Sequence, residues 1–178
     1  MTNAPKQPMD ELFKELMSKA CNEGKASLSN ASRNLDSLVA ACRLYPEYLY
    51  EHSAFALASL RKHLDGQQRA SLAANGVYMD YKGLSGIIKG QPRIYFIGDT
   101  VTDLYPSDYA VATLYLFNKS DVTIHPGAHN ILVVETYDHT RLHIAGSGNA
   151  RITVHKYDCS VVTGPARIKP EKRPCNIR

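Results

Sequence analysis

Asp121-Val122-Thr123-Ile124, Ile131-Leu132-Val133-Val134, Arg141-Leu142-His143-Ile144 and Arg151-Ile152-Thr153-Val154 are four apolar segments set ten residues apart. Val122, Leu132, Leu142, Ile152 and Val162 keep that ten-residue interval, and Ile124, Val134, Ile144 and Val154 keep it in parallel. Within each segment the two aliphatic residues stand at i and i+2, which places both on one face of an extended strand. The links between segments are small or polar, and they alternate. Those after Ile124 and Ile144 contain glycine, whereas those after Val134 and Val154 read Tyr137-Asp138 and Tyr157-Asp158. A unit of twenty residues carrying two strands therefore describes the repeat better than a unit of ten. Leu114 and Leu116 begin an earlier copy.

Self-similarity at a fixed interval with polar corners predicts a β-solenoid, in which each coil stacks its apolar pair on the coil below. Burying two aliphatic side chains per strand contributes roughly 3–6 kcal/mol before chain entropy is subtracted. A single coil cannot stand alone, so stacking is obligatory. An antiparallel meander folded into a β-sandwich or small barrel also spaces its strands by about 8–12 residues. That alternative stays open on the sequence.

Upstream, residues 77–81, 93–97, 101–105 and 111–117 are short and rich in β-branched and aromatic residues. The glycines at 83, 86, 90 and 98 read as tight turns between them. Before residue 66 the period changes to that of helices. Asp10 is placed to cap a first helix with Leu12, Phe13, Leu16, Met17, Ala20 and Cys21 on its apolar face, and Gly24 reads as its stop. Residues 25–32 read as a connection or a weak helical turn. Asn34 caps a second helix that ends before Pro46; Pro46 opens a short turn, Ser53 caps another helix, and Asp65-Gly66 ends it. Residues 67–75 read as a polar bridge. The predicted chain is thus α+β: a short-helix segment over 1–66, a β-repeat domain over 76–164 and a basic C-terminal tail over 165–178.

In this layout the chain resembles the repetitive β-helical proteins of gut Bacteroidetes and their phages or prophages. The residues that carry the resemblance are 118–124, 137–144 and 148–154, where short alternating strands follow corners containing Asp, Asn or Ser. It implies a solenoid fold and a phage-related context. No catalytic residue transfers with it.

The 44% hydrophobic and 21% charged content is that of a folded protein. No apolar run approaches the ~20 residues of a membrane span, and the first residues lack the apolar core of a signal peptide, which predicts synthesis in the cytoplasm and no membrane partner. Cys21, Cys42, Cys159 and Cys175 show no CxxC pairing, and four free thiols are expected. The net charge of +4 is carried entirely by Arg167, Lys169, Lys172, Arg173 and Arg178 against Glu171, so the body is neutral. These five cations are the candidate partner-binding residues, for an acidic protein surface or, as an alternative, a phosphate backbone.

Five of the seven histidines fall in the repeat. His129, His139 and His155 with Glu135 form the candidate metal set of a cupin-like barrel enzyme, because imidazole and carboxylate are common ligands. In a twenty-residue coil Glu135 would stack on His155, and His139 on Cys159. The paired His-x-His of a cupin is missing, however, and neither a nucleophile elbow nor a phosphate-binding loop is present. The sequence therefore favours a non-catalytic structural or interaction protein without cofactor. It would act as a homo-oligomer or in a multi-protein assembly such as a virion.

Overall fold

A computed structural model describes residues 8–87, 92–146 and 148–171. The chain divides into two compact units, Met1–Leu72 and Ala73–Arg178.

The first unit is helical: α1 (Pro8–Met17), α2 (Asn22–Asn30), α3 (Leu35–Leu44), α4 (Pro46–His63) and α5 (Gly66–Ala74), the last crossing the boundary between the units. Asn34 caps α3 as expected, its side chain accepting from the Ser37 N–H at 2.9 Å. Four readings are corrected. Asp10 lies in the first turn of α1, which begins at Pro8. Gly24 does not stop a helix but sits inside α2, whose N-cap is Cys21. The bridge after residue 66 is α5, and Asp65 opens it: its carboxylate accepts from the Gln68 N–H (2.8 Å) while the Gln68 amide oxygen accepts from the Asp65 N–H (2.9 Å). That reciprocal capping box was legible as Asp-x-x-Gln. The turn at Pro46 and the helix read from Ser53 are one element, kinked at His52. Among the described residues no helix is long and apolar enough to cross a membrane.

The second unit is a β-solenoid. Its strands are β1 (Val77–Met79), β2 (Lys82–Ile87), β3 (Arg93–Ile97), β4 (Val101–Pro106), β5 (Val111–Leu116), β6 (Asp121–Ile124), β7 (Ile131–Thr136), β8 (Arg141–Ile144), β9 (Arg151–Lys156), β10 (Val161–Thr163) and β11 (Arg167–Pro170). Odd strands form one sheet in the order β1-β3-β5-β7-β9-β11, even strands the other, β2-β4-β6-β8-β10. Every pairing is parallel, which excludes the antiparallel sandwich or barrel. From β3 to β10 the register is twenty residues: Leu114 pairs with Val134, Val134 with Val154, Val122 with Leu142. At the N-terminal end the step shortens, with Val77 opposite Tyr95, and at the C-terminal end Arg167 lies opposite Thr153.

The aliphatic pairs read from the sequence all face inward. Leu114, Val122, Ile124, Val134 and Val154 are fully buried, and Leu132, Leu142, Ile144 and Ile152 nearly so. Val162, in the last coil, is partly buried against the same core. Because parallel strands bury one face between the sheets, each inward position stacks on its equivalent and the core runs unbroken through the coils. Gly83 and Gly86, read as turns, lie within β2.

The two kinds of link in the sequence are two opposite corners. The corners after β1, β3, β5, β7 and β9 turn on a left-handed residue: Asp80, Gly98, Asn118, Asp138 and Asp158, with φ of 50 to 77°. Asn and Asp tolerate this region because their short side chains bond locally. Here they also bond along the stack. The Gly98 N–H donates to Asn118 Oδ1 (3.0 Å), the Asn118 N–H to Asp138 Oδ2 (2.8 Å) and the Asp138 N–H to Asp158 Oδ2 (3.0 Å). Above this ladder Phe117, Tyr137 and Tyr157 stack at 5.0 and 4.5 Å. Three residues after Phe117 and Tyr157, the hydroxyls of Ser120 and Ser160 turn inward and donate to the carbonyls of those residues.

Candidate interaction surface

The corner after the even strands is built differently. Tyr109 and His129 are both in the left-handed region, at φ 61 and 56°. For bulky side chains this conformation is costly and persists only where surrounding bonds enforce it. Those bonds are present. Asp108 Oδ1 accepts from the Ala128 N–H (2.7 Å), and the Tyr109 N–H donates to the Ala128 carbonyl (2.8 Å). Asn130, fully buried, accepts from the Gly127 N–H (2.7 Å) and donates to the Ser107 carbonyl (2.8 Å). A Cβ at Gly127 would stand 2.8 Å from Asp108 Oδ1 and 2.9 Å from the Pro106 carbonyl, so only glycine fits beneath this corner.

The strained pair is displayed to solvent. Tyr109 is 70% exposed and stacks on His129 at 5.0 Å between ring centroids. Beside it Tyr105, 50% exposed, stacks on His125 at 4.4 Å, and His125 Nε2 bonds Asp103 Oδ1 at 2.8 Å. On the other side Val111 and Ile131, register partners, are both exposed. Three pairs, Tyr105/His125, Tyr109/His129 and Val111/Ile131, thus form one apolar and aromatic ridge on the solenoid. The ridge was missed in the sequence, although each pair carries the twenty-residue spacing of the repeat.

The candidate metal residues do not form a centre. His129 and His139 occupy opposite corners, separated by the length of β7, about 20 Å at ~3.3 Å per residue. Glu135 and His155 are in register, as the twenty-residue coil required. Each is engaged elsewhere: the Tyr137 hydroxyl donates to Glu135, and His155 Nδ1 bonds Glu171 Oε1 at 2.9 Å. Among the described residues no group of three or more His, Cys, Asp and Glu side chains is placed to hold a metal ion.

Of the candidate partner-binding cations, Arg167 and Lys169 lie on β11, the last strand of its sheet among the described residues. All four β11 residues are exposed, and Glu171 beyond them is anchored by its N–H to the Lys156 carbonyl (2.9 Å) as well as by His155. Lys172, Arg173 and Arg178 lie outside the described residues. The expectation of four free thiols is corrected: Cys159 is disulfide-bonded, whereas Cys21 and Cys42 are in no disulfide.

Compared with protein-family models, with curated proteins and with solved structures, the chain finds no match. What places it in a class is its own geometry, a set of helices followed by a two-sheet parallel β-solenoid.

Proposed function

We propose that this protein is a non-catalytic structural component that assembles with copies of itself through the corner ridge. The observation that carries the reading is the exposed Tyr109/His129 stack, held in a strained backbone by the hydrogen bonds of Asp108 and Asn130 and flanked by exposed Val111 and Ile131. Strain of this kind, together with rigid aromatics on the surface, marks recognition sites. The ridge is largely apolar, so two copies related by a symmetry axis bring like against like without charge repulsion. The exposed basic strand β11, with Arg167 and Lys169, is a second surface suited to an acidic partner. Lys and Pro on a terminal strand discourage indiscriminate edge-to-edge stacking. The resemblance to repetitive β-helical proteins of gut Bacteroidetes and their phages supports a virion or phage-related assembly, with synthesis in the cytoplasm.

Native mass spectrometry of the full chain tests this reading. The expected result is a metal-free homo-oligomer that the double substitution Val111→Asp/Ile131→Asp converts to monomer without loss of folded structure. A wild-type monomer, or an oligomer indifferent to both substitutions, overturns it. A monomer or dimer holding one stoichiometric transition metal would favour the metalloenzyme alternative instead.

A further inference from the structure

The helical unit contains a cavity of about 490 Å³, within the ~300–1,000 Å³ span of small-molecule sites. Its interior is aliphatic: Leu16, Leu28, Leu38, Leu49, Ala56 and Leu60 line it, and all are buried. Tyr48 supplies an ordered aromatic wall. Its hydroxyl donates to the Leu16 carbonyl at 3.0 Å, and its ring meets His52 edge-on at 5.3 Å. His52 is also the kink of α4, so the wall is set where that helix bends.

The rim has one dominant sign. Glu23, Glu47 and Glu51 line it from α2 and α4, all exposed to solvent. The only ammonium among the described lining residues is Lys19, whose Nζ lies 6.0 Å from the centroid of the Phe55 ring. With His52 neutral these described residues carry a charge of −2. A deep aliphatic interior beneath a carboxylate rim is complementary to one chemistry: an apolar body that ends in a cation. An aromatic wall beside carboxylates also favours a quaternary or primary ammonium over a neutral head group.

We propose that this cavity binds a small cationic amphiphile, an aliphatic chain with an amine or quaternary ammonium head. The chain fills the space among the leucines, and the head stays at the rim between Glu23, Glu47 and Glu51. Affinity should rise about fourfold per added methylene until the cavity is full. Each rim carboxylate replaced by its amide should cost about two- to fivefold for a cation.

Isothermal titration of the full chain at low ionic strength tests the proposal. The probes are decyltrimethylammonium, decyl maltoside and decyl sulfate, each below its micellar concentration. Saturable one-to-one binding is expected in the order cation, neutral, anion. The triple substitution E23Q/E47Q/E51Q should remove the preference for the cation and leave the neutral probe bound as before, so the neutral probe reports on folding. Ala56→Phe, which grows a ring into the cavity, should abolish binding of all three. Equal binding of sulfate and trimethylammonium overturns the proposal, as does a cation preference that survives the triple substitution. So does the absence of saturable binding, or saturable binding of a basic amphipathic peptide where the amphiphile shows none.

Discussion

In the solenoid a residue and its equivalent twenty positions later do the same work, whereas in the helical unit every residue is placed once. Leu114, Val134 and Val154 are one position seen three times; so are Asn118, Asp138 and Asp158, and Phe117, Tyr137 and Tyr157. The helical unit has no such redundancy. It is held by individual devices: the Asn34 cap, the Asp65–Gln68 box, the His52 kink and a half-buried contact of His63 Nε2 with Glu15 Oε2 at 2.7 Å. The solenoid packs its core without interruption, and the helical unit packs around a cavity. Repetition makes packing uniform; single placement leaves room for a site.

The largest effect that sharpens this contrast comes from one substitution made in both units. Leu132→Ala removes a side chain from the continuous stack and should cost about 3–5 kcal/mol, because neighbouring coils on both sides keep the void open. Leu49→Ala, on the cavity wall, should cost about 2–3 kcal/mol, since its side chain already borders open space. Urea unfolding with far-ultraviolet circular dichroism separates the two. Equal costs would break the contrast.

A smaller effect tests the corner ladder. Asp138→Ala deletes the acceptor of the Asn118 N–H and leaves a left-handed residue with a Cβ, at a cost of about 1–3 kcal/mol. Asp138→Gly loses the same acceptor without the backbone strain and should cost less by about 1 kcal/mol. If alanine and glycine behave alike, the left-handed turn contributes nothing to the choice of residue.

Acid should act on the helical unit first. The hydrogen bond from His63, aided by Lys62, holds the Glu15 carboxyl below its ordinary value of 4.5. A depressed carboxyl contributes stability that is present above the unfolded value and lost as pH falls through the folded one. Helical signal should therefore decline as pH drops below about 4.5, and Glu15→Gln should flatten that decline. A decline identical in the variant would assign the acid sensitivity elsewhere.

The smallest effect is kinetic and leaves stability untouched. Cys21 is exposed and should be alkylated quickly at neutral pH. Burial pushes the Cys42 thiol up to about 11, so its thiolate is scarce and its alkylation slow. Cys159 should react only after reduction. Peptide mapping after timed alkylation reads all three, and rapid labelling of Cys159 without reductant would contradict its disulfide.

Legibility follows the same division. The inward residues of the solenoid were readable because period two along the strand and a fixed interval between strands leave one consistent register. The terminal strands were not. β2 carries Gly83 and Gly86, which suggest turns, and β11 follows the preceding strand at a broken interval. Both are strands because the neighbouring coil offers a ladder to pair with, a long-range contact that local composition does not encode. In the helical unit, Asn34 was readable as a cap, whereas α2 and α5 were obscured by Gly24 and by a stretch rich in polar residues. The cavity left no sequence signal, since its lining is drawn from several separate helices.

By itself the sequence determined the strand spacing, the inward aliphatic pairs, the chemistry of the corners and the placing of the charge excess at one end. Each follows from local rules of side-chain period, turn preference and composition. Only the tertiary structure decided that the strands pair in parallel and that His129 and His139 lie at opposite corners. It alone set the Tyr109/His129 stack on an exposed, strained ridge and left an open-mouthed apolar cavity among the helices. These depend on which distant segments meet, and that is fixed by the packing of the whole chain rather than by any stretch of it.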